Sequence, residues 1–220
     1  MTLRRHALLG LALAVIAPRA IAAAPETPPP QPPPSLSSED SREVARIVDY
    51  LQGLTSARSR FVQTDARGAQ SEGIFYLQRP GRARFEYDPP SGLVIASDGR
   101  NVTVVDRRLR TKHVYPLAST PLALFLARNI RLDKGVVVRQ VSRDGGNVTV
   151  VAEDARGKAK GQIALTLTQS PLALTGWSVK DARGGVVKVR LDGLTRAAPH
   201  DPGFFELPNP RTTPYPDASR

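Results

Sequence analysis

The sequence predicts a mainly β domain of the α+β class, in which an amphipathic helix precedes an antiparallel meander that curls toward a barrel. Three observations support this prediction. Apolar and polar residues alternate over several short segments, turn signals separate those segments, and a stretch near residue 40 has helical periodicity instead. Strands that follow one another at such short spacing are typical of curled sheets and barrels.

The first residues predict an export signal, residues 1–24, that is cleaved from the mature protein. Basic residues at positions 4–6 precede an apolar run over 7–17, and small residues around Ala22 and Ala24 offer cleavage positions. That run is shorter than the roughly 20 residues needed to span a bilayer. The paired arginines fit an ordinary or a twin-arginine signal, and either route leads to the periplasm.

A proline-rich leader is predicted over residues 25–37. Seven of the chain's 20 prolines lie between positions 25 and 34, and none of the residues in this segment could enter a core. Such a segment favours a stiff polyproline spacer of roughly 30 Å, which would hold the domain clear of the membrane during export. One domain is then expected over residues 38–210, followed by a frayed tail over 211–220.

The amphipathic helix is predicted from about residue 38 to 52. Ser37 or Ser38 offers the N-cap, acidic residues follow in the first turn, and Gly53 is a natural stop. Apolar residues recur with the spacing i, i+3, i+4 and i+7, at Val44, Ile47, Val48 and Leu51. One face of this helix should therefore pack on the core.

Strand periodicity follows the helix. It is clearest over residues 82–88, where charged and apolar residues alternate and give one wet and one dry face. The alternation returns over residues 163–168 and 187–192, and turn dipeptides such as Asp98-Gly99 lie between the segments. Residues 204–208, with two phenylalanines and a leucine, predict a final strand.

A second, short helix is predicted over residues 120–128. Thr120 offers a cap, Pro121 suits the first helical position, and the residues that follow are apolar on nearly every side. A helix of this composition must be covered by other parts of the protein. It is either a buried plug or a lid over a cavity, and the sequence does not distinguish the two.

The residue types present argue against an enzyme, a cofactor and a metal site. The chain contains no cysteine and 3 histidines, of which one lies in the predicted signal. Neither His113 nor His200 lies beside a nucleophile turn, and no two histidines have metal-ligand spacing. Glu86 and Asp88 share a strand face with Arg82 and Arg84, which indicates a solvated outer surface rather than paired catalytic carboxylates. Without a cysteine the N-terminus cannot be lipidated, so we expect a soluble mature protein.

The chain is basic, with a formal net charge of +11, and removal of the three signal arginines leaves +8. The arginines are scattered singly and are not interleaved with aromatic residues, which argues against nucleic acid as a partner. A solvated arginine-rich surface is one interpretation. Transient contact with an anionic membrane surface or an acidic partner is the alternative.

A more specific pattern lies in residues 73–90, where two alternating strands meet at Arg79-Pro80. Ser97-Asp98-Gly99 follows in a third strand. The order and spacing of these motifs resemble the outer-membrane lipoprotein carrier family, over roughly residues 44 to 207. The other elements of the resemblance are Phe61-Val62-Gln63, Pro90, Asp106 and the Thr120-Pro121 helix that ends in Ala127-Arg128-Asn129.

The resemblance implies an incomplete barrel of about eleven antiparallel strands, with short helices forming a lid over an apolar cavity. It also implies a monomeric periplasmic chaperone without enzyme activity or cofactor. Such a chaperone carries acylated lipoproteins from an inner-membrane release complex to an outer-membrane acceptor. The alternative on the same fold is a regulatory module that senses lipid or lipoprotein.

The resemblance further implies roles for individual residues. Arg79, at the Arg-Pro corner, is expected to hydrogen-bond to the lid in the closed state and to act as its gate. The expected lipid-binding cavity residues are Phe61, Phe85, Tyr87, Val104, Leu122, Phe125 and Leu126. Relatives commonly have aromatic residues where this chain has Ala83, Val102 and Val105, so we expect a more aliphatic wall, and the identity of the lipid cargo stays open.

Overall fold

The computed structural model describes residues 36–130, 135–155, 157, 161–181 and 183–211. The predicted export signal, nearly all of the proline-rich leader and most of the predicted tail lie outside these residues. The described part of the chain forms an α-helix, six strands, a connection with a second short helix, five more strands and a C-terminal extension.

The eleven strands of the described residues form one antiparallel sheet. Its spatial order is β6-β5-β4-β3-β2-β1-β11-β10-β9-β8-β7, so two meanders, β1 to β6 and β7 to β11, join where β1 pairs with β11. The sheet is open, with β6 and β7 at its edges, as the resemblance predicts. The strands are β1 Ser56–Thr64, β2 Gln70–Gln78, β3 Arg82–Tyr87, β4 Leu93–Asp98, β5 Asn101–Asp106, β6 Thr111–Pro116, β7 Val136–Asp144, β8 Asn147–Asp154, β9 Gln162–Gln169, β10 Leu172–Lys180 and β11 Val186–Arg196.

The first helix, α1, covers Ser38–Gly53, as its periodicity predicts. Ser37 caps it, because its hydroxyl accepts the N–H of Asp40 at 3.0 Å. The apolar stripe of α1 is buried against one face of the sheet, which we call the inner face, at Val44, Ile47 and Leu51. At the N-terminal end Asp40 pairs with Arg143 of β7 at 2.8 Å, and this pairing lowers the pKa of Asp40.

The connection from β6 to β7 contains a 3₁₀ turn, Leu117–Ser119, and the helix α2, Leu122–Leu126. The helix is shorter than the predicted span of 120–128. Thr120 does not cap it, because the Thr120 hydroxyl donates to the carbonyl of Leu117 at 2.8 Å and so belongs to the 3₁₀ turn. Within the described residues, neither helix is long and apolar enough to cross a membrane.

The C-terminal extension, residues 197–211, corrects two predictions about the outer face of the sheet. Residues 204–208 do not form a strand: Pro202–Phe205 is a 3₁₀ helix in which the Asp201 carboxylate accepts the N–H of Gly203, and the prolines around it cannot donate to a sheet ladder. Nor is the outer face of β3 solvated. Arg84 does pair with Glu86 at 2.6 Å, but it is only 5% exposed and lies over the Phe204 ring.

The extension crosses the outer face of the first meander. Gln78 at the end of β2 exchanges two hydrogen bonds with the backbone of His200. Farther on, Leu207 packs with side chains of β4 and β5, and its carbonyl accepts from Lys112 of β6 at 2.6 Å. The extension therefore connects β11 to strands on the far side of the first meander, and it leaves the inner face to α1 and α2.

Candidate functional site

Aromatic side chains gather on the inner face of β1, β2 and β3. The strand register places Phe61 opposite Gly73 and Gly73 opposite Tyr87. A Cβ at Gly73 would lie 2.8 Å from the Phe61 ring and 2.0 Å from the Glu86 carbonyl, so the motif glycine leaves room for these rings. The Phe61 ring then lies 5.1 Å from that of Tyr87 and 5.4 Å from that of Phe85, both edge-on.

Two aromatic residues that the sequence interpretation missed complete this cluster, Phe75 and Trp177. Their exposed fractions are 1% and 5%, and their ring centroids lie 5.2 Å apart. Strand alternation does not identify Trp177 as an inner-face residue, because a β-bulge between Leu174 and Gly176 moves the later residues of β10 to the opposite face. Phe75 lies in an apolar run without alternation. The hairpin at the Arg-Pro corner pairs it with Phe85, and this pairing is the signal from which its position could have been predicted.

Helix α2 covers the aromatic cluster. Phe125 stacks on Trp177 with a centroid distance of 6.0 Å and an interplanar angle of 25°. Phe125 and Leu126 are 3% and 1% exposed, whereas Leu122 is partly buried. In this conformation the Phe125 side chain of α2 fills the space over Trp177. A ligand that binds on the inner face would therefore have to displace the helix.

The described cavity candidates therefore divide by position. Phe61, Phe85, Tyr87, Phe125 and Leu126 converge in one buried core, together with the two residues that were missed. Val104 of β5 faces the same side, since it pairs with Ile95, but it is only partly buried and lies toward the sheet edge. Leu122 packs at the margin of the core.

Tyr87 introduces a polar group into this apolar cluster. Its hydroxyl donates to the side-chain carbonyl of Gln63 at 2.7 Å. Burial raises the pKa of Tyr87 to about 12. The phenol thus stays neutral at physiological pH and keeps an apolar ring with one satisfied polar end.

Arg79 lies where the two helices meet. Its Nη1 donates to the carbonyl of Leu51 in the last turn of α1, and its Nη2 donates to the carbonyl of Ala127, directly after α2, at 2.5 Å. Burial lowers the pKa of Arg79. Its Nε is buried and has no hydrogen-bond partner among the described residues. One guanidinium therefore connects both helix C-termini, where carbonyl groups lack helical partners and favour a cation.

The backbone of the corner adds a second connection to α2. Gly81 N–H donates to the carbonyl of Leu126 at 2.8 Å, while the Gly81 carbonyl accepts from the buried Ser97 hydroxyl at 2.6 Å. Gly81 has φ +78°, and a Cβ there would lie 2.6 Å from the Cα of Gly99. The Arg-Pro-Gly corner and the Ser-Asp-Gly turn of the sequence motif are thus packed against each other.

Comparison with known proteins gives the family of this fold and corner. The family model described as "Outer membrane lipoprotein carrier protein LolA" matches residues 52–208. The chain belongs to the LolA family. An outer-membrane lipoprotein carrier protein from Cupriavidus taiwanensis is 25% identical over 179 residues, which cover 76% of this chain and 83% of that protein.

Two further similarities are found. An outer-membrane lipoprotein carrier protein from Alkalilimnicola ehrlichii is 27% identical over 182 residues, 79% of this chain and 83% of its own length. A crystal structure of a LolA superfamily protein from Nitrosomonas europaea has a TM-score of 0.43 and 12% identity, and covers 74% of this chain and 97% of its own. LolA proteins are lipoprotein carriers and not enzymes, so this chain is a member of a carrier family.

Proposed function

We propose that this protein binds the acyl chains of lipoproteins on its inner face, beneath α2, and carries them through the periplasm from the inner to the outer membrane. One observation supports this most directly. The Arg79 guanidinium joins the C-termini of α1 and α2, and α2 packs on the aromatic cluster through Phe125. Closure thus depends on a few polar contacts over an apolar interior.

The balance of energies favours a gate of this kind. Burying an acyl chain of about sixteen carbons is worth on the order of 10 kcal/mol gross, at roughly 0.8 kcal/mol per methylene. A carrier therefore holds its cargo easily, and release is the harder step. Release requires a competing state, and the closed empty conformation provides one when α2 settles onto Trp177 and Arg79 bonds to both helices.

The closed state must also be able to open. A hydrogen bond from a charged group contributes about 1.5–3 kcal/mol, so the Arg79 contacts are smaller than the gross gain from an acyl chain. The buried Nε of Arg79 without a partner makes closure weaker still. Lipid can therefore displace α2, and the return of Arg79 to the two carbonyls helps to expel it.

Trp177 offers a direct measurement, because it is the chain's only tryptophan and lies beneath Phe125. We expect that a purified triacylated lipoprotein changes the emission of Trp177 as Phe125 leaves it, and that the same lipoprotein without its acyl chains does not. Native mass spectrometry of protein from its own periplasm should show bound lipoprotein. Free lipid would instead favour the sensing module, and equal emission changes with both lipoprotein forms would contradict the proposal.

The gate predicts the effect of Arg79→Leu. The substitution removes the contacts with Leu51 and Ala127 and makes the surroundings of residue 79 more apolar. The loaded state therefore becomes more stable relative to the closed state. We expect cargo to stay bound and its transfer to acceptor membranes to slow by about tenfold or more, the equivalent of one lost charged hydrogen bond. Transfer is measured from loaded protein to vesicles that contain the outer-membrane acceptor.

The matched control is Arg58→Leu. Arg58 is an exposed arginine on the opposite face of β1 from Phe61, away from both helices. Its substitution changes the charge by the same amount and should leave transfer unchanged. A wild-type transfer rate in the Arg79 variant, or an equal decrease in both variants, would rule out the gate.

A further inference from the structure

We propose that the tip of the β5–β6 hairpin docks this protein on an anionic lipid surface. The tip is residues Arg107–Arg110, between the two strands. Leu109 at this tip is 72% exposed, more than the other large apolar side chains that are exposed in the described chain. Nothing in the fold accounts for a leucine at this position, because the side chain covers no part of the core.

The surroundings of Leu109 are cationic. Arg108 and Arg110, both exposed, flank it in the sequence, and the acid nearest to it in the sequence is Asp106. The Asp106 carboxylate already accepts the N–H groups of Arg108 and Leu109, each at 2.9 Å. An approaching anionic surface therefore meets arginines around one apolar side chain.

The tip is held in place and does not need to fold on contact. Nη1 of Arg108 donates to the carbonyl of Pro90 in the neighbouring β3–β4 turn at 3.1 Å. Nε of Arg211, in the C-terminal extension, donates to the carbonyl of Arg110, also at 3.1 Å. The first contact connects the tip to the neighbouring turn and the second holds the backbone directly after Leu109, so the tip has a defined position.

The backbone conformation gives a second reason to regard the tip as functional. Arg110 has φ +50°, the left-handed conformation that turns usually give to glycine or asparagine. A glycine here would relieve the strain and make a more stable hairpin. The chain keeps an arginine instead, and conformations of this kind in non-glycine residues concentrate at binding sites.

A lipid surface fits the tip better than an acidic protein does. One leucine offers far less apolar area than the roughly 800 Å² per partner of a stable protein interface. In a membrane, however, a single apolar side chain inserts at the boundary of headgroups and acyl chains while guanidinium groups bind the phosphates. Juxtamembrane basic residues are attracted to anionic lipids in the same way.

The tip lies at the opposite end of the sheet from the Arg79 corner. The strand β5 begins at Asn101, beside the Ser97-Asp98-Gly99 turn that packs on the corner, and ends at Asp106. Docking through the tip would therefore leave α2 free to move. The proposal does not depend on the cargo, and it can fail while the carrier function stands.

The test uses the mature protein without cargo and two kinds of vesicle. With vesicles of phosphatidylglycerol and phosphatidylethanolamine we expect co-sedimentation at low ionic strength that weakens as salt is added. Vesicles of phosphatidylcholine alone should bind at least about tenfold less. Leu109→Asp should weaken binding to the anionic vesicles by about tenfold or more, and Arg110→Gln, which leaves the Arg108 contact with Pro90 in place, by about fivefold.

The control is Arg183→Gln, in the β10–β11 turn at the same end of the sheet but without an exposed leucine beside it. Its binding should match the wild type within about twofold. Equal losses in Arg183→Gln and Arg110→Gln, which remove the same charge, would show diffuse attraction and overturn the proposal. Wild-type binding by Leu109→Asp would also overturn it. So would the absence of vesicle binding, which is the result expected if the partner is an acidic protein. The Trp177 response to acylated lipoprotein should be the same in Leu109→Asp and wild type.

Discussion

Individual residues of the site combine apolar packing with a few polar contacts. Tyr87 shows this most clearly, because the residue is 8% exposed and its ring packs edge-on against Phe61, while its hydroxyl donates to Gln63. An isolated polar group in an apolar interior is costly, and the partner removes most of that cost. Gln63 belongs to the Phe61-Val62-Gln63 motif, so the motif supplies both an aromatic wall and the acceptor for its neighbour.

The raised pKa of Tyr87 predicts a loss of stability in alkaline solution. The unfolded chain releases the phenol proton near pH 10, whereas the folded protein keeps it until about pH 12. The contribution of Tyr87 is therefore complete below pH 10 and is lost as the pH rises to 12, by up to about 3 kcal/mol. Urea unfolding between pH 8 and 11 should show this slope.

Tyr87→Phe should remove most of that slope, at a cost of about 1 kcal/mol at pH 8 from the lost hydrogen bond. Some slope should remain, because burial also raises the pKa of Tyr76. The matched control is Tyr115→Phe, at the exposed edge strand β6, which should behave like the wild type. An unchanged slope in Tyr87→Phe would mean that another group titrates.

At the scale of elements, the Arg-Pro-Gly corner and α2 act together. The corner binds two successive carbonyls at the C-terminal end of α2: Gly81 N–H donates to that of Leu126, and Arg79 donates to that of Ala127. A helix of five residues has little stability of its own. Its position is therefore set by these contacts and by Phe125 on Trp177, which makes α2 the element that is easiest to move.

The glycine of the corner and the glycine of the Ser-Asp-Gly turn that packs on it provide a matched pair of substitutions. Gly81 and Gly99 both have positive φ, +78° and +102°, so alanine should cost about 1–2 kcal/mol at each. Only at Gly81 does a Cβ also meet backbone, 2.6 Å from the Cα of Gly99, whereas nothing lies within 4 Å of a Cβ at Gly99. Gly81→Ala should thus be less stable than Gly99→Ala by a further 1–3 kcal/mol or so.

The corner prediction has a second readout. Because a Cβ at Gly81 should displace the backbone whose N–H binds the Leu126 carbonyl, we expect Gly81→Ala to shift the Trp177 emission toward that of the loaded protein, and Gly99→Ala to leave it unchanged. Urea unfolding measures stability, and emission of the folded protein measures the position of α2. Equal stability of the two variants would mean that the corner relaxes without strain.

At the scale of the whole molecule, an open sheet has two free edges and needs reinforcement. The C-terminal extension supplies it for the first meander by crossing the outer face from β2 to β6. The second meander is reinforced from the inside, where Asp40 of α1 pairs with Arg143 of β7, and Arg46 of α1 donates to the carbonyl of the last residue of β9. The two meanders are thus supported on opposite faces.

This arrangement predicts a local effect of Leu207→Ala. Leu207 is 5% exposed and packs on Val94, Ala96 and Val105, so its truncation should cost about 2–5 kcal/mol. Hydrogen exchange should become faster in β4 to β6 and change little in β8 and β9. Leu109→Ala, at the exposed hairpin tip, should stay within about 0.5 kcal/mol of the wild type. A uniform increase in exchange would contradict the reinforcing role.

Much of the fold could be predicted from residue patterns because local rules determine it. Period-3.6 spacing and Ser37 determine α1, and alternation over residues 82–88 determines the direction of the β3 side chains. Other features depend on distant contacts. The bulge that turns Trp177 inward, and the cover that Phe204 places over Arg84, leave no trace in the spacing of nearby residues.

The sequence by itself determined that this chain forms an amphipathic helix and an antiparallel sheet with a tight corner at Arg79, because helix caps, periodicity and turn residues act over a few positions. Only the tertiary structure decided that Arg79 reaches both Leu51 and Ala127, that α2 lies on Trp177, and that the C-terminal residues cover the outer face. These contacts join residues 28 or more positions apart, and burial, not local propensity, selects them.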